Sequence, residues 1–319
     1  MLVRFEYSTL LTFALLVIFL MLNLASAYIL SVCYERRFDK TLIQERKYFE
    51  TDGLKPLTCG TVWGKRFCTD RHGGRRPCAT PGARKKKMLV LGDSVAQGVG
   101  VSDCETFSSI ASDVLSAYEV INLSLIGYST YDYVNVLRHF AATDTSVAAV
   151  HLFYCLNDVY AGSPAGQLPR MGNRNSLAVW SERLQRMMPL YKLLKLWYFR
   201  NADNYYRYDA AFYQPENTHF RLALRHLALC DSLCRAAGAK FHITLLPYRS
   251  QLNTSGIYAQ SPQQLLSDSL RALQIPHRDL LYELNNVENP AALYLFADEI
   301  HFSSAGHRTL AGLWLRDVH

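Results

Sequence analysis

Glycine and proline are scarce, at 17 and 11 of 319 residues, and that shortage excludes a fibrous or low-complexity chain. Charge is sparse too: 19% of residues are charged and 50% are apolar, which excludes a disordered tail protein and leaves ample apolar surface for a core. No internal repeat is visible. The chain carries a net +7, but residues 35–87 hold 15 Lys/Arg against 6 Asp/Glu, whereas residues 88–319 hold 18 against 20. The body therefore lacks a positive surplus. This argues against nucleic-acid binding, which needs Lys and Arg clustered on a folded face. Metal-ligand spacing is missing as well. Cys230 and Cys234 stand four apart with no His/Cys pair of zinc spacing beside them. No metal site is indicated, and buried helical cysteines are the expected reading.

Charge disappears altogether between Glu6 and Glu35. The apolar stretch from Leu10 to Cys33 would make a helix of roughly 36 Å, against a hydrocarbon core of about 30 Å. The expected organisation is a signal-anchor or transmembrane helix over residues 1–34, a basic connector over 35–87 and a main domain over 88–319. The rival is a cleavable signal peptide with Ala25-Ser26-Ala27 as its cleavage site. The apolar run continues through Tyr28-Ile29-Leu30-Ser31-Val32, which favours an uncleaved, single-pass anchor. Arg36, Arg37, Lys40, Arg46 and Lys47 follow the helix, and charge counting alone would put the body in the cytoplasm. Cys59, Cys68 and Cys78 precede the main domain and could include a disulfide if the segment lies outside the cytoplasm.

From residue 88 onward, strands and helices alternate. Strands are expected at Met88–Leu91, Glu119–Asn122, Val147–Tyr154, Phe241–Leu246 and within 276–282, with a helical stretch reaching about Tyr118. A last helix holds Leu310, Leu313 and Trp314, with Ser303 or Ser304 as N-cap. Alternation of this kind predicts a parallel sheet covered by helices on both faces, with ligands bound beyond the carboxyl ends of the strands. Residues 177–199 carry an apolar stripe at helical spacing, broken near Met188 by Pro189. The stripe is expected to pack on the sheet, and a cap over the site or a lipid-touching surface is the sharper alternative.

Chemistry gathers at the ends of these strands. The first strand runs straight into Gly92-Asp93-Ser94, which places a serine at a helix entry, where free N–H groups suit a nucleophile that generates an oxyanion. The second leads to Gly127, whose backbone N–H can approach a ligand closely, and the third to Asn157-Asp158, where an amide donor is available. Near the carboxyl terminus, Asp298 stands three residues before His301; such a carboxylate can orient an imidazole that takes the serine proton. Asp93 and Asp158 read as structural acceptors, and His307 as a packing residue.

These residues resemble the nucleophile, glycine, asparagine and Asp-x-x-His blocks of the SGNH/GDSL hydrolase family, in order over residues 88–319. Val90-Leu-Gly-Asp-Ser94 matches the first block, and Ser303-x-x-Gly306-His307 follows the last as expected. Phe67-Cys-Thr-Asp-Arg-His-Gly-Gly-Arg75 looks like the stretch that precedes this domain in many envelope members. Two positions depart from the family pattern: Cys155 and Ser124 stand where glycine is frequent. The resemblance implies a three-layer α/β/α sandwich on a mostly parallel five-stranded sheet of flavodoxin-like order. It implies Ser94 as nucleophile, His301 as base and then acid, and Asp298 as its orienting carboxylate. The oxyanion hole would comprise the Ser94 N–H, the Gly127 N–H and the Asn157 amide. It also implies an acyl-enzyme without a cofactor. The expected substrates are carboxylic esters of small molecules, lipids or glycans, with O-acetyl groups of a cell-envelope glycan favoured and the domain outside the cytoplasm. The alternatives are an O-acyltransferase with the same triad, a lipase whose 177–199 helix engages membrane, and a catalytically silent glycan-binding domain.

Overall fold

The computed structural model describes residues 2–34, 36–78, 86–160, 180, 183–185, 187–199, 204–252 and 261–318. The chain divides into two units, Met1–Glu35 with Met171–Ala202, and Arg36–Arg170 with Asp203–His319. In chain order, helix α1 (Leu2–Cys33) precedes strands β1 (Ile43–Tyr48), β2 (Thr51–Leu54), β3 (Cys59–Val62), β4 (Lys65–Cys68) and β5 (Lys86–Gly92). Then come α2 (Ser94–Gln97), α3 (Phe107–Val114), β6 (Tyr118–Asn122), α4 (Thr130–Thr143), β7 (Val147–Tyr154), α5 (Pro189–Phe199) and α6 (Asn204–Ala210). The remainder is α7 (Thr218–Ala236), β8 (Lys240–Leu245), α8 (Ser261–Ala272), β9 (His277–Asp279), α9 (Leu281–Asn285) and α10 (Ser304–Val318).

The second unit is a three-layer α/β/α sandwich. Its central sheet is parallel and runs β6-β5-β7-β8-β9. Side chains alternate across it, as a strand period of two requires. On β7, His151 and Phe153 meet Trp314 of α10, and Phe153 also meets Phe107 of α3, both at ring spacings of about 4–6 Å. Val150 points the other way, toward Leu137 and Phe140 of α4 and Leu233 of α7. The order places β5 between β6 and β7, so the chain direction across the sheet reverses beside β5. Crevices of such sheets open at the carboxyl ends of the strands at that point.

The expected helix reaching Tyr118 is instead broken. α2 spans four residues, a 3-10 turn covers Asp103–Glu105, and α3 follows. Gly98 and Gly100 adopt φ of 77° and 81°, left-handed values that end α2 and turn the chain.

Residues 36–78, expected as a connector, are folded onto the sandwich. Two antiparallel hairpins, β1–β2 and β3–β4, bury Tyr48, Leu54, Val62 and Phe67 in the same core as the sheet, joined by Leu42 from the turn before β1. A disulfide joins Cys59 to Cys68 across the β3–β4 pair, and a second joins Cys78 to Cys104. Arg75 is buried; its guanidinium donates to Gln97 O (2.9 Å), Val101 O (2.6 Å) and Asp103 Oδ1 (3.1 Å). Local patterning hid this because the hairpins are short and richly charged, while their inward residues fit a surface made elsewhere in the chain.

In the first unit, Thr9–Cys33 of α1 is long and apolar enough to cross a membrane, a length and composition that a signal sequence shares. The stripe at 177–199 was expected against the sheet. Its described part, α5, pairs with α1 instead. Pro189 has no N–H, so the first α5 donor needing a partner is Leu190, and Asn23 Oδ1 of α1 accepts it at 3.2 Å. Lys192 lies 5.1 Å from the Tyr34 ring centroid. Trp180, Leu184, Met187 and Leu194 remain exposed, and Leu177 lies outside the described residues.

Candidate active site

Ser94 opens α2 directly beyond β5. Asp93 caps that turn: its Oδ1 accepts the Val95 N–H at 2.8 Å. Gly92 must lack a side chain, because a Cβ there would sit 2.7 Å from the Phe153 carbonyl oxygen. Strand β5 can therefore lie close enough to β7 to bring Asn157, in the turn after β7, beside Asp93. The Asn157 amide donates to Asp93 Oδ2 at 2.9 Å, and Ser94 Oγ lies 3.3 Å from the same oxygen.

The loop before α10 supplies the remaining groups. Ser94 Oγ lies 2.9 Å from His301 Nε2, and His301 Nδ1 lies 2.9 and 3.0 Å from the two oxygens of Asp298. The loop holds itself in place. Asp298 Oδ1 accepts the Ile300 and His301 N–H groups at 3.0 and 2.9 Å, and Ser303 caps α10 by accepting the Gly306 N–H at 3.2 Å. Burial alone would raise the Asp298 pKa, but His301 and then Arg36 outweigh it and hold the carboxyl well below its ordinary range. All three side chains are nearly enclosed. A hydroxyl, an imidazole and an ionised carboxylate in one hydrogen-bonded row can pass a proton from the oxygen to the imidazole while the carboxylate fixes the ring's orientation.

Gly127 sits on the β6–α4 loop with φ of 85°, a conformation that favours glycine, and nothing lies within 4 Å of where its Cβ would be. That loop is tied to α2: the Ile126 N–H donates to Gln97 Oε1 at 3.1 Å, and Asn122 Nδ2 donates to Ala96 O at 2.8 Å. The two departures from the family pattern prove harmless to backbone conformation. Cys155 is extended at φ −106°, and Ser124 is not among the described residues with positive φ, so neither position requires glycine.

Asp158 is buried and accepts from Tyr133 Oη (2.8 Å) and the Cys155 N–H (3.1 Å). Burial and then the charge of Asp93 push its carboxyl well up. His307 is buried against Phe107, and burial first, then Arg75, pulls its pKa down to about 3. Both therefore act in support and packing.

Three residues escaped the sequence reading. Arg36 Nη2 donates to Asp298 Oδ2 at 3.0 Å. The Trp63 ring meets His301 edge-on, 4.5 Å between centroids. Asp209 of α6, bonded to Tyr248 Oη, is pushed up to about 7 by burial, with Asp93 adding to the rise. Nothing local marks them, since each meets its partner across a long stretch of chain. The lone signal was the density of arginine just past α1. Among the described residues, no group of three or more His, Cys, Asp or Glu side chains is placed to hold a metal ion.

No protein-family model matches the chain, and no curated protein matches it. The chain is similar to several proteins of known structure. One is a lipolytic G-D-S-L protein from Veillonella parvula DSM 2008, at 15% identity over 72% of this chain and 97% of that one, with a TM-score of 0.43. Another is the acetylxylan esterase Axe2 of Geobacillus stearothermophilus, at 13% identity over 74% and 95%, with a TM-score of 0.45. A third is the acetyl xylan esterase AlAXEase, at 13% identity over 73% and 100%, with a TM-score of 0.46. These are similarities of architecture, and the chemistry of the site stands on its own geometry.

Proposed function

We propose that the chain is a serine ester hydrolase of the SGNH/GDSL kind. The observation that carries this reading is the unbroken row from Ser94 Oγ through His301 to the ionised Asp298. Ser94 attacks an ester carbonyl as His301 Nε2 takes its proton. The oxyanion is met by the Ser94 and Gly127 N–H groups and by the second N–H of the Asn157 amide. His301 then gives its proton to the departing alkoxide, and water resolves the acyl-enzyme by the same steps in reverse.

The natural substrate in this reading is an acylated glycan outside the cytoplasm, with α1 as membrane anchor. The two disulfides support that compartment, because such bonds persist on the oxidising side of a membrane and are rare in the cytosol. Hydrolysis of p-nitrophenyl acetate by the full chain in detergent, beside Ser94→Ala, tests the reaction. The expected loss in Ser94→Ala is at least about 1,000-fold, with a fluorophosphonate labelling the parent at Ser94. Equal activity in parent and variant would sink the serine mechanism.

A further inference from the structure

The segment just past the membrane helix is built into the candidate site. Residues 37–39 run alongside the β3–β4 hairpin: the Trp63 N–H donates to Arg37 O at 2.8 Å, the Asp39 N–H donates to Thr61 O at 3.1 Å, and Phe38 bridges Val62 antiparallel. Trp63 sits at the hairpin tip with φ of 50°, a left-handed conformation that bulky L residues avoid. Strain of this sort tends to be retained where it places a side chain that function needs. Here the ring contacts both the guanidinium of Arg36, 4.1 Å from its centroid, and the imidazole of His301, 4.5 Å between centroids. Arg36 Nη2 donates to Asp298 Oδ2 at 3.0 Å and to Phe296 O at 3.5 Å.

We infer that Arg36 is a positioning residue for the triad, acting through Asp298 and braced by Trp63. This rests on the serine hydrolase reading above. Asp298 Oδ1 is already fixed by two backbone N–H groups, so the carboxylate could still rotate about that anchor. Arg36 fixes the other oxygen, and with it the plane that the imidazole must match. Its positive charge also draws on the same carboxylate, opposing a proton on the imidazole before attack. Removing that charge is therefore expected to favour a proton on the imidazole of the variant relative to the parent. The charged or titratable groups around His301 are Asp298 on its own loop, Arg36 beside the hairpin, Asp93 behind Ser94, and His307 one turn into α10. The neighbouring Glu299 is engaged by Arg249.

The test measures kcat/KM for p-nitrophenyl acetate and the rate of fluorophosphonate labelling at Ser94, both from about pH 5 to about pH 9, on the full chain in detergent. Arg36→Gln should raise the midpoint of the acid limb by about one pH unit and lower the plateau about tenfold. Arg36→Lys, which keeps the charge, should restore the midpoint while recovering the plateau only in part. Arg36→Met keeps the apolar stem against Trp63 and should behave as Arg36→Gln does, so a packing defect cannot imitate the result. Profiles of Arg36→Gln and Arg36→Met that superimpose on the parent's would overturn the inference. So would a lowered plateau with an unmoved midpoint and no rescue by Lys, which would make Arg36 merely structural. If the parent fails to label at Ser94 and its hydrolysis survives Ser94→Ala, the serine reading itself falls and takes Arg36 with it. If Ser94 labels normally and only the Arg36 effects are missing, this inference alone fails.

Discussion

Asn157 commits one of its two amide N–H groups to Asp93, which leaves the second for the oxyanion of the proposed reaction. A donor that acts on charge developing in the transition state should matter for kcat and little for KM. Asn157→Ala is therefore expected to lower kcat by about 100- to 1,000-fold with KM nearly unchanged, as steady-state kinetics on an activated ester would read. Asp209 is a different kind of residue. Its folded pKa of about 7 stands above the ordinary 3.8 of an aspartate, so the folded state keeps a proton that the unfolded state releases. Stability then falls as pH rises through the window from about 4 to 7, and levels off above it. Asp209→Asn keeps an acceptor for Tyr248 and removes the titration. Its melting temperature should exceed the parent's at about pH 8 and match it more closely near pH 4. His151 and His307, both pulled down to about 3 chiefly by burial, act in the opposite sense below about pH 6.5, so the parent-to-variant difference is the quantity to follow. Parallel curves for parent and variant would contradict the assignment.

At the scale of elements, Arg75 holds the end of the hairpin segment against the turn between α2 and α3, through three carbonyls and Asp103. Burial draws its pKa down to about 10, with Asp103 opposing that fall. Arg75→Met would strand the Asp103 carboxylate in a half-buried position and leave those carbonyls without their donor. A loss of about 3–5 kcal/mol is expected in chemical denaturation, larger than an exposed ion pair could account for. Strands β5, β6 and β7 were legible in the sequence because they are mostly buried and read as apolar runs, whereas the edge strand β9, His277–Asp279, is polar and half-buried. Met88–Leu91 lies within β5, Glu119–Asn122 within β6, and Val147–Tyr154 is β7 itself. The helical elements were less legible. Gly98 and Gly100 cut the expected first helix, and the pairing of α5 with α1 includes a bond from Leu190 to Asn23, which local periodicity cannot connect.

For the whole molecule, the apolar residues of the 36–78 segment are expected to decide where the folding unit begins. Leu42, Leu54, Val62 and Phe67 are each buried to 2% exposure or less. At about 1.5–3 kcal/mol for each, their loss removes roughly 6–12 kcal/mol, comparable to the entire stability of an ordinary domain at about 5–15 kcal/mol. A chain of residues 36–319 is expected to melt cooperatively, whereas residues 88–319 alone should show no cooperative transition in a circular-dichroism melt. A cooperative melt of the shorter chain would show that the hairpins are dispensable.

By itself, the sequence determined the parallel sheet and the identities of Ser94, Asn157, Asp298 and His301 as chemically apt groups at strand and helix ends. These features are written in short windows: apolar runs, a glycine at a tight approach, a carboxylate three residues before an imidazole. Tertiary structure alone decided that a basic, hairpin-forming stretch belongs to the core, that Cys78 pairs with Cys104, and that Arg36 meets Asp298 across 262 residues of chain. Long-range contacts of that kind leave no local periodicity, because burial and charge pairing are satisfied by whichever surface the completed fold presents.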